Sequence, residues 1–563
     1  MISRADALTA LQQEAFDVVV IGGGITGAGV ALDAATRGFS VALVERDDYS
    51  CGTSSRSSKM VHGGLRYLQN FDLGLVREAL VERQLMVRLA PHLVKPLPFL
   101  VPALEGARLD LRIGVGLNMY DVMSLRNPRA RRRAKREAAL EGGEYWSPDR
   151  HRTIDAGEVL EMVPALASRN PSSGYLFYDC QTDDSRLVLT VLGEAERFGA
   201  VCVNGARAVE LIEDQGKAAG IVCEEAESGE RFAISATNVV NATGVWADRI
   251  RPEELHGEED EDVPVIRPSR GTHVLLDREQ LPLNAAVVVP AGEDRTIFAL
   301  PWLGQTLVGT TDNDYEGSLE HPPVSEDDVA YLLAAVNSFF GTEFGPGDLA
   351  GAYAGVRPLI SSADPKKSVD ISRKAELYET SSGLITITGG KLTTWRRMAK
   401  MVVDRMVERE FRDAPCRTHE IPLGHPVDPA TLHDSSGIGE HSRAHLAARY
   451  GLFAEQVLSI CGEDPDLAQP IVEGMPDLLV EAAVAARHEQ ARTVADILLR
   501  RTRLGLLAGR RLADDPGIAL RLARILGREH GWGRRQVKRA AEAWPEIVRA
   551  ERLTVAEVAA VRS

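Results

Sequence analysis

An apolar run, Asp17-Val-Val-Val-Ile21, passes without a spacer into Gly22-Gly-Gly-Ile-Thr-Gly27. A β-branched run of this length suits a parallel strand buried on both faces. The glycine spacing restricts what can follow. Gly22 permits a tight turn, Gly24 lets backbone approach a pyrophosphate at a helix N-terminus, and Gly27 lets that helix lie close on the strand. Ala28 to Arg37 has helical spacing and stops at Gly38. A second strand, Ser40 to Val44, ends in Glu45, 23 residues after Gly22. A carboxylate there can accept hydrogen bonds from an adenosine ribose. The whole unit predicts a bound dinucleotide, with Ile25, Thr26 and Arg46 beside the same turn.

Val239 to Trp246 reads as a strand running into the small-residue turn Ala242-Thr243-Gly244. Hairpin strands precede it, Ala206 to Glu213 (with Ala208) and Gly220 to Cys223. In flavoproteins with two dinucleotide-binding domains such a turn passes close to FAD, so its distance from the N-terminal motif favours FAD over NAD.

Between these motifs lies Thr53-Ser-Ser-Arg-Ser-Ser-Lys-Met-Val-His-Gly-Gly-Leu-Arg-Tyr-Leu68. Ser54, Ser55 and Ser58 offer hydroxyls to phosphate or ribose oxygens, and Lys59 is a candidate to neutralise the pyrophosphate. Gly63 and Gly64, after His62, allow backbone to pass near an aromatic ring such as a flavin. With the N-terminal motif, this segment strongly resembles the FAD-dependent glycerol-3-phosphate dehydrogenases of aerobic type. Further matches follow in chain order: Met119 to Asp121, Asp179 to Asp184, Arg270 to His273, Gly309 to Asp312, Tyr353 to Pro358 and Gly389 to Arg396. The resemblance covers most of residues 16 to about 400. A weaker echo, Arg487 to Thr502, is similar to the family's helical C-terminal domain.

The resemblance implies an α/β fold of the two-dinucleotide-binding-domain flavoprotein type: a Rossmann-type FAD domain, an antiparallel β-sheet cap and a helical C-terminal domain. The expected divisions are 16–90, 185–262 and 350–410 for FAD, 91–184 and 263–349 for the cap, and 415–563 for the helical domain. It also implies oxidation of sn-glycerol 3-phosphate to dihydroxyacetone phosphate, with electrons passed to a quinone or other acceptor. Arg66, Tyr67, Arg357, Arg373 and Lys391 are then substrate ligands, His273 the candidate base, and Arg357 and Lys391 also members of the catalytic set. Lys391 precedes an amphipathic helix expected from Lys391 to Asp404. There it faces either an anionic substrate or the flavin edge, together with Gly390, Leu392 and Thr393. The division of labour among Arg66, Arg357 and Lys391 stays open. So do the rival readings: an oxidase that reduces O2 to hydrogen peroxide, and a flavin-binding subunit without turnover.

Charge bears on partners. The chain has 65 Lys+Arg against 81 Asp+Glu, a net −16, which disfavours nucleic acid as a partner. Only 10 of the basic residues are lysine. Six scattered cysteines lack zinc or disulfide spacing, so no metal is expected and a reducing, cytoplasmic setting is. The N-terminus lacks the apolar core of a signal peptide, and no apolar run spans a bilayer. Yet Arg126, Arg129, Arg131, Arg132, Arg133, Lys135 and Arg136 crowd seven cations into eleven residues. A peripheral contact with anionic lipid on the inner face of the cell membrane is expected from them; a homodimer is left open.

Overall fold

Val18, Val19 and Val20 are fully buried because the strand Phe16–Ile21 lies between two parallel neighbours, Val41–Val44 and Arg231–Asn241. That explains its lack of polar alternation. The computed structural model describes residues 2–64, 72–124, 150–250, 265–292, 295–360, 375–432 and 437–554. In the first sheet the strands run Ala375–Glu379, Ile385–Gly389, Arg231–Asn241, Phe16–Ile21, Val41–Val44 and Val201–Val203. All are parallel except Ala375–Glu379. The hairpin Ala206–Asp214/Lys217–Glu225 is attached to the first half of Arg231–Asn241. Helices Ile25–Thr36, Asp184–Arg197 and Trp395–Arg409 cover one face, sharing a core with Val18, Val20 and Leu43. Helix Arg4–Gln13 and the hairpin cover the other through Ala7, Leu11, Val19 and Val44.

Among the described residues the second sheet has ten strands. It differs from expectation in three ways. Ala286–Pro290 pairs in parallel with Lys95–Leu104, so the sheet is mixed. Leu349–Ile360, expected in the FAD domain, pairs along its length with Ile266–Asp277 and belongs here. The short strand Met60–Val61, also expected in the FAD domain, pairs with Cys180 and Gln181 at this sheet's edge.

The C-terminal helices Glu440–Tyr450, Ala454–Glu463, Val480–His488, Pro516–His530 and Arg534–Glu551 do not form a core of their own. Phe99, Phe177 and Tyr353 of the second sheet are continuous with Val484, Leu498 and Leu522. Contact is close enough that a Cβ on Gly351 would lie 2.2 Å from the Leu506 carbonyl oxygen.

Buried ion pairs reinforce this junction. Asp48, in the loop after Val41–Val44, accepts from Arg500 Nε (2.5 Å) and from both terminal nitrogens of Arg501 (2.8 Å each). Arg56 donates to both oxygens of Glu551 at 2.8 Å. Burial pushes the Asp48 carboxyl up, but Arg501 and Arg500 outweigh it and hold it at about 2, against an ordinary 3.8. Glu551 is likewise burdened by burial, yet Arg56 and His321 bring it from 4.5 to about 2. Folded-state values below unfolded ones mean that this stability is complete above about pH 4.5 and is lost as pH falls toward 2. Asp48→Asn should therefore destabilise the protein by about 3–5 kcal/mol at pH 7 and by about 1 kcal/mol less at pH 3. Guanidinium unfolding at the two pH values measures this; an equal loss at both would contradict it.

Candidate functional site

The glycine turn is built as the spacing requires. Gly22 has φ +112°, and a Cβ there would lie 2.7 Å from the Ala242 carbonyl oxygen. A Cβ on Gly27 would lie 1.9 Å from the Gly22 oxygen, so its part is to let helix Ile25–Thr36 approach the strand. Gly24 caps that helix in extended conformation, and Ile25 N–H donates to Ser54 Oγ at 2.9 Å. The Ser54 hydroxyl keeps its own hydrogen for an incoming acceptor. Glu45 accepts from Gly23 N–H (2.7 Å) and Asp47 N–H (3.0 Å), which fixes it at the turn. Burial raises its carboxyl above the ordinary range despite those two donors. The Arg46 guanidinium stacks on Trp246, 5.0 Å from the ring centre.

These residues surround a cavity of about 290 Å³. Of the expected cofactor ligands, Gly22, Gly24, Ile25, Thr26, Glu45, Arg46, Thr53, Ser54, Ala208, Ala242, Thr243, Gly244, Gly390, Lys391 and Leu392 line it. Thr243 Oγ1 donates to Asn241 Oδ1 at 2.7 Å, holding the small-residue turn. Gly244 has φ +63°, and a Cβ there would meet no protein atom within 4 Å. The room left beside this wall, the bare helix start at Gly24 and the acid at Glu45 fit a dinucleotide. Sequence reasoning missed Cys51, Gly52, Trp246, Arg249 and Met398 as walls. Only Gly52 carries a signal: a Cβ there would crowd the Trp246 ring at 3.1 Å.

Several expected ligands lie outside these walls. Lys59 is the clearest correction. It is fully buried, and its ammonium donates to Asp184 (2.8 and 3.0 Å) and to the Ser55 carbonyl (2.6 Å). It cannot neutralise a pyrophosphate from there. Burial and the Arg503 charge push it down to about 7, against the pull of Asp184. Ser55 supplies that carbonyl, and its side chain is buried too. Ser58 pairs with His273. The space that Gly63 keeps clear belongs to Leu80 and the Tyr120 hydroxyl, each 2.5 Å from a Cβ built there. Gly63 N–H donates to that hydroxyl, which donates to Asp179, a partner also of Arg83. Gly64 follows with φ +76°. Thr393 Oγ1 accepts from His62 N–H at 3.1 Å, tying the two segments together outside the cavity.

Lys391 stands in extended backbone (φ −146°, ψ 156°) before a 3-10 turn, Leu392–Thr394. The α-helix begins only at Trp395, so the helix expected from Lys391 starts one turn later. That places Lys391 on the cavity wall with Gly389 and Gly390.

Arg357 lies on Leu349–Ile360 opposite Ser269, beside Pro358, which lines the cavity. It donates to Asp312 Oδ1 (3.1 Å), Thr310 Oγ1 (2.9 Å) and the Thr311 carbonyl (3.1 Å). A Cβ on Gly271 would sit 2.3 Å from its Nη2. Four registers along the same strand pair, His273 lies opposite Tyr353 and stacks on it, ring centres 4.8 Å apart. Ser58 Oγ lies 2.9 Å from His273 Nε2. Gly309 makes room for this ring, since a Cβ there would approach it to 2.4 Å. Burial, then Lys59 and Arg357, drive the imidazole well below its ordinary 6.5 and keep it neutral. Arg66, Tyr67, Arg373 and the basic run at 126–136 lie outside the described residues.

Comparisons with known proteins agree with this geometry. The family described as FAD dependent oxidoreductase (DAO) matches residues 17–405, and the C-terminal domain of alpha-glycerophosphate oxidase matches residues 416–537. The chain is 36% identical to glycerol-3-phosphate dehydrogenase 2 of Mycobacterium tuberculosis, covering 98% of this chain and 92% of that one. It is 35% identical to the aerobic glycerol-3-phosphate dehydrogenase of Bacillus subtilis, covering 89% of each. The structure of the glycerol-3-phosphate dehydrogenase from Bacillus halodurans complexed with FAD superposes with a TM-score of 0.76 at 28% identity, over 97% of each chain. With the glycine turn, the cavity and the helical C-terminal unit all accounted for, the chain belongs to the FAD dependent oxidoreductase family.

Proposed function

We propose that this protein oxidises sn-glycerol 3-phosphate to dihydroxyacetone phosphate and passes the electrons to a membrane quinone. The observation that carries the reading is the strand pair that carries both Arg357 and His273, four registers apart, with Pro358, the residue after Arg357, on the wall of the FAD cavity. Relatives that carry the glycerol-3-phosphate dehydrogenase name align over nearly the whole chain, which supports the substrate.

FAD, when bound, supplies the acceptor for the hydrogen leaving C2. The residues of this chain bind, orient and take a proton. Arg357 is aimed by Asp312, Thr310 and Thr311 before any anion arrives, so little freedom is lost when it grips a phosphate. Lys391 supplies a second cation from the cavity wall, with Arg66 and Arg373 as further candidates by resemblance. His273 accepts the C2 hydroxyl proton; its neutrality keeps it ready for that step, and Ser58 fixes one edge of the ring.

Glycerol 3-phosphate should bleach the flavin anaerobically and glycerol should not; failure to bleach would overturn the reading. Reoxidation by a quinone analogue without hydrogen peroxide separates it from the oxidase. Arg357→Ala should keep FAD and lose about 2–5 kcal/mol of transition-state binding, read mainly as a raised KM.

His273→Asn should lower kcat by about 10²–10⁴ with FAD retained. The acid limb of kcat/KM should lie below the usual imidazole range, because the folded value is depressed and neutral His273 is lost only as pH falls through it. Lys59→Gln removes one of the charges that depress it, so the limb should move to higher pH. A limb that does not move would assign the proton transfer elsewhere.

A membrane contact is supported by helix Leu111–Ser124. Leu111, Val115, Met119 and Val122 are 79%, 62%, 37% and 68% exposed. At 100° per residue they share an arc of about 80°, just before the basic run in the chain. Apolar insertion and attraction to anionic headgroups then act together. Replacing Leu111, Val115 and Val122 by Ser should abolish flotation with anionic liposomes and leave activity toward a soluble acceptor intact. Retained flotation would remove this face from the contact.

A further inference from the structure

In the proposed reaction His273 takes the proton of the C2 hydroxyl, yet the strands around the ring leave it little to meet. The residue is 2% exposed. Tyr353, opposite it on Leu349–Ile360, covers one face in a near-parallel stack, with 9° between the planes. Gly309, opposite it on the other neighbouring strand, Gln305–Gly309, packs as closely: a Cβ there would come within 2.4 Å of Cδ2 and 3.1 Å of Nε2. Nδ1 is buried and has no hydrogen-bond partner among the described residues. Nε2 lies 2.9 Å from Ser58 Oγ. Proton transfer needs a partner within about 2.6–3.2 Å, and among the described residues Ser58 is the one that this ring has.

Ser58 is placed differently. It is half-buried, and Ser57 just before it lines the FAD cavity. The residues on either side hold it. Ser57 donates to Asp184 from N–H (3.0 Å) and from Oγ (2.7 Å), and its carbonyl accepts from the Tyr353 hydroxyl (2.7 Å). Lys59 donates to the same carboxylate at 2.8 Å. A hydroxyl donates one hydrogen and accepts others at the same time, so Ser58 can donate to Nε2 while its oxygen accepts from a substrate hydroxyl. We propose that Ser58 is a further catalytic residue, which carries the C2 hydroxyl proton of the substrate to His273 Nε2. The inference rests on the reading of His273 as the base.

The C2 hydroxyl proton passes to Ser58 Oγ, and the Ser58 hydrogen passes to Nε2. The serine ends as it began, and the imidazole gains one positive charge. C2 becomes the ketone carbon as its hydride leaves for bound FAD. The tautomer this requires carries its hydrogen on Nδ1 and keeps the Nε2 lone pair for the incoming proton. The groups around the ring suit an acceptor that starts neutral. Tyr353 is stacked on it, while Lys59 from the serine loop and Arg357 from the strand add positive charge to the effect of burial.

The test is anaerobic rapid-mixing reduction of the FAD-loaded full chain by glycerol 3-phosphate, followed against pH. Ser58→Ala should slow the limiting rate by about 10²–10⁴. It should keep FAD and bind dihydroxyacetone phosphate, read from the flavin spectrum, with wild-type affinity. Its rate should also lose the acid limb that follows His273, because the ring is no longer connected to the reacting hydroxyl. Ser58→Thr keeps a hydroxyl on the same carbon and should recover both the limb and the rate, to within tenfold. Slow reduction in Ser58→Ala with the limb intact would mean that the serine only seats the ring, and would overturn the relay. Wild-type rate in Ser58→Ala beside a slowed His273→Asn would overturn the relay alone. Wild-type rate in His273→Asn would overturn the base reading and the relay together.

Discussion

One carboxylate, Asp184, takes Lys59 and Arg503 at the same time and also accepts from Ser57 N–H and Oγ. Three parts of the molecule meet on it: the loop that follows the second strand, the helix that Asp184 begins, and the C-terminal unit. The charges lie far from water, so their desolvation is offset only while all are present. Arg503 also donates to the Ser55 carbonyl, and Tyr353 to the Ser57 carbonyl. The Thr53–Ser58 stretch therefore has little freedom: Thr53 and Ser54 reach the FAD cavity while Ser58 reaches His273.

Arginine suits these positions better than lysine. Asp48 accepts two parallel bonds from Arg501 and a third from Arg500, a fork that an ammonium cannot form. Arg56 and Glu551 repeat the geometry. In a chain with 10 lysines and a net −16, the arginines of the 500–503 stretch serve the interior, where net charge says nothing about them.

What was legible in the sequence was mostly local. Gly22, Gly24, Gly27 and Glu45 announce themselves because a turn, a helix start and a strand end are fixed by a few consecutive residues. Gly271 and Gly309 fall inside motifs, but their reason is the bulk of Arg357 and His273 on adjoining strands, which spacing does not reveal. Lys59 was misread because a lysine in a serine loop shows charge without direction. Its partner Asp184 lies 125 residues further along, and Arg503, which shares that carboxylate, 444. Gly63 was assigned to the flavin when Tyr120 and Leu80 occupy the adjacent space. Leu349–Ile360 suits either sheet by composition, and only its pairing with Ile266–Asp277 decides. The echo at Arg487 to Thr502 was visible as resemblance, while its work, Arg500 and Arg501 on Asp48, depends on contacts across the whole chain.

The Arg56–Glu551 pair also bears on how the protein comes into being. The loop that carries Thr53 and Ser54 to the cofactor is made early, but its partners Arg503 and Glu551 emerge roughly 450 to 500 residues later. At about 5–20 residues per second, the interval is on the order of 25–100 s. Through that time the nascent nucleotide domain holds a glycine turn able to meet a dinucleotide and a serine loop without its anchors. The serine loop therefore reaches its full set of contacts only after Arg503 and Glu551 have been made.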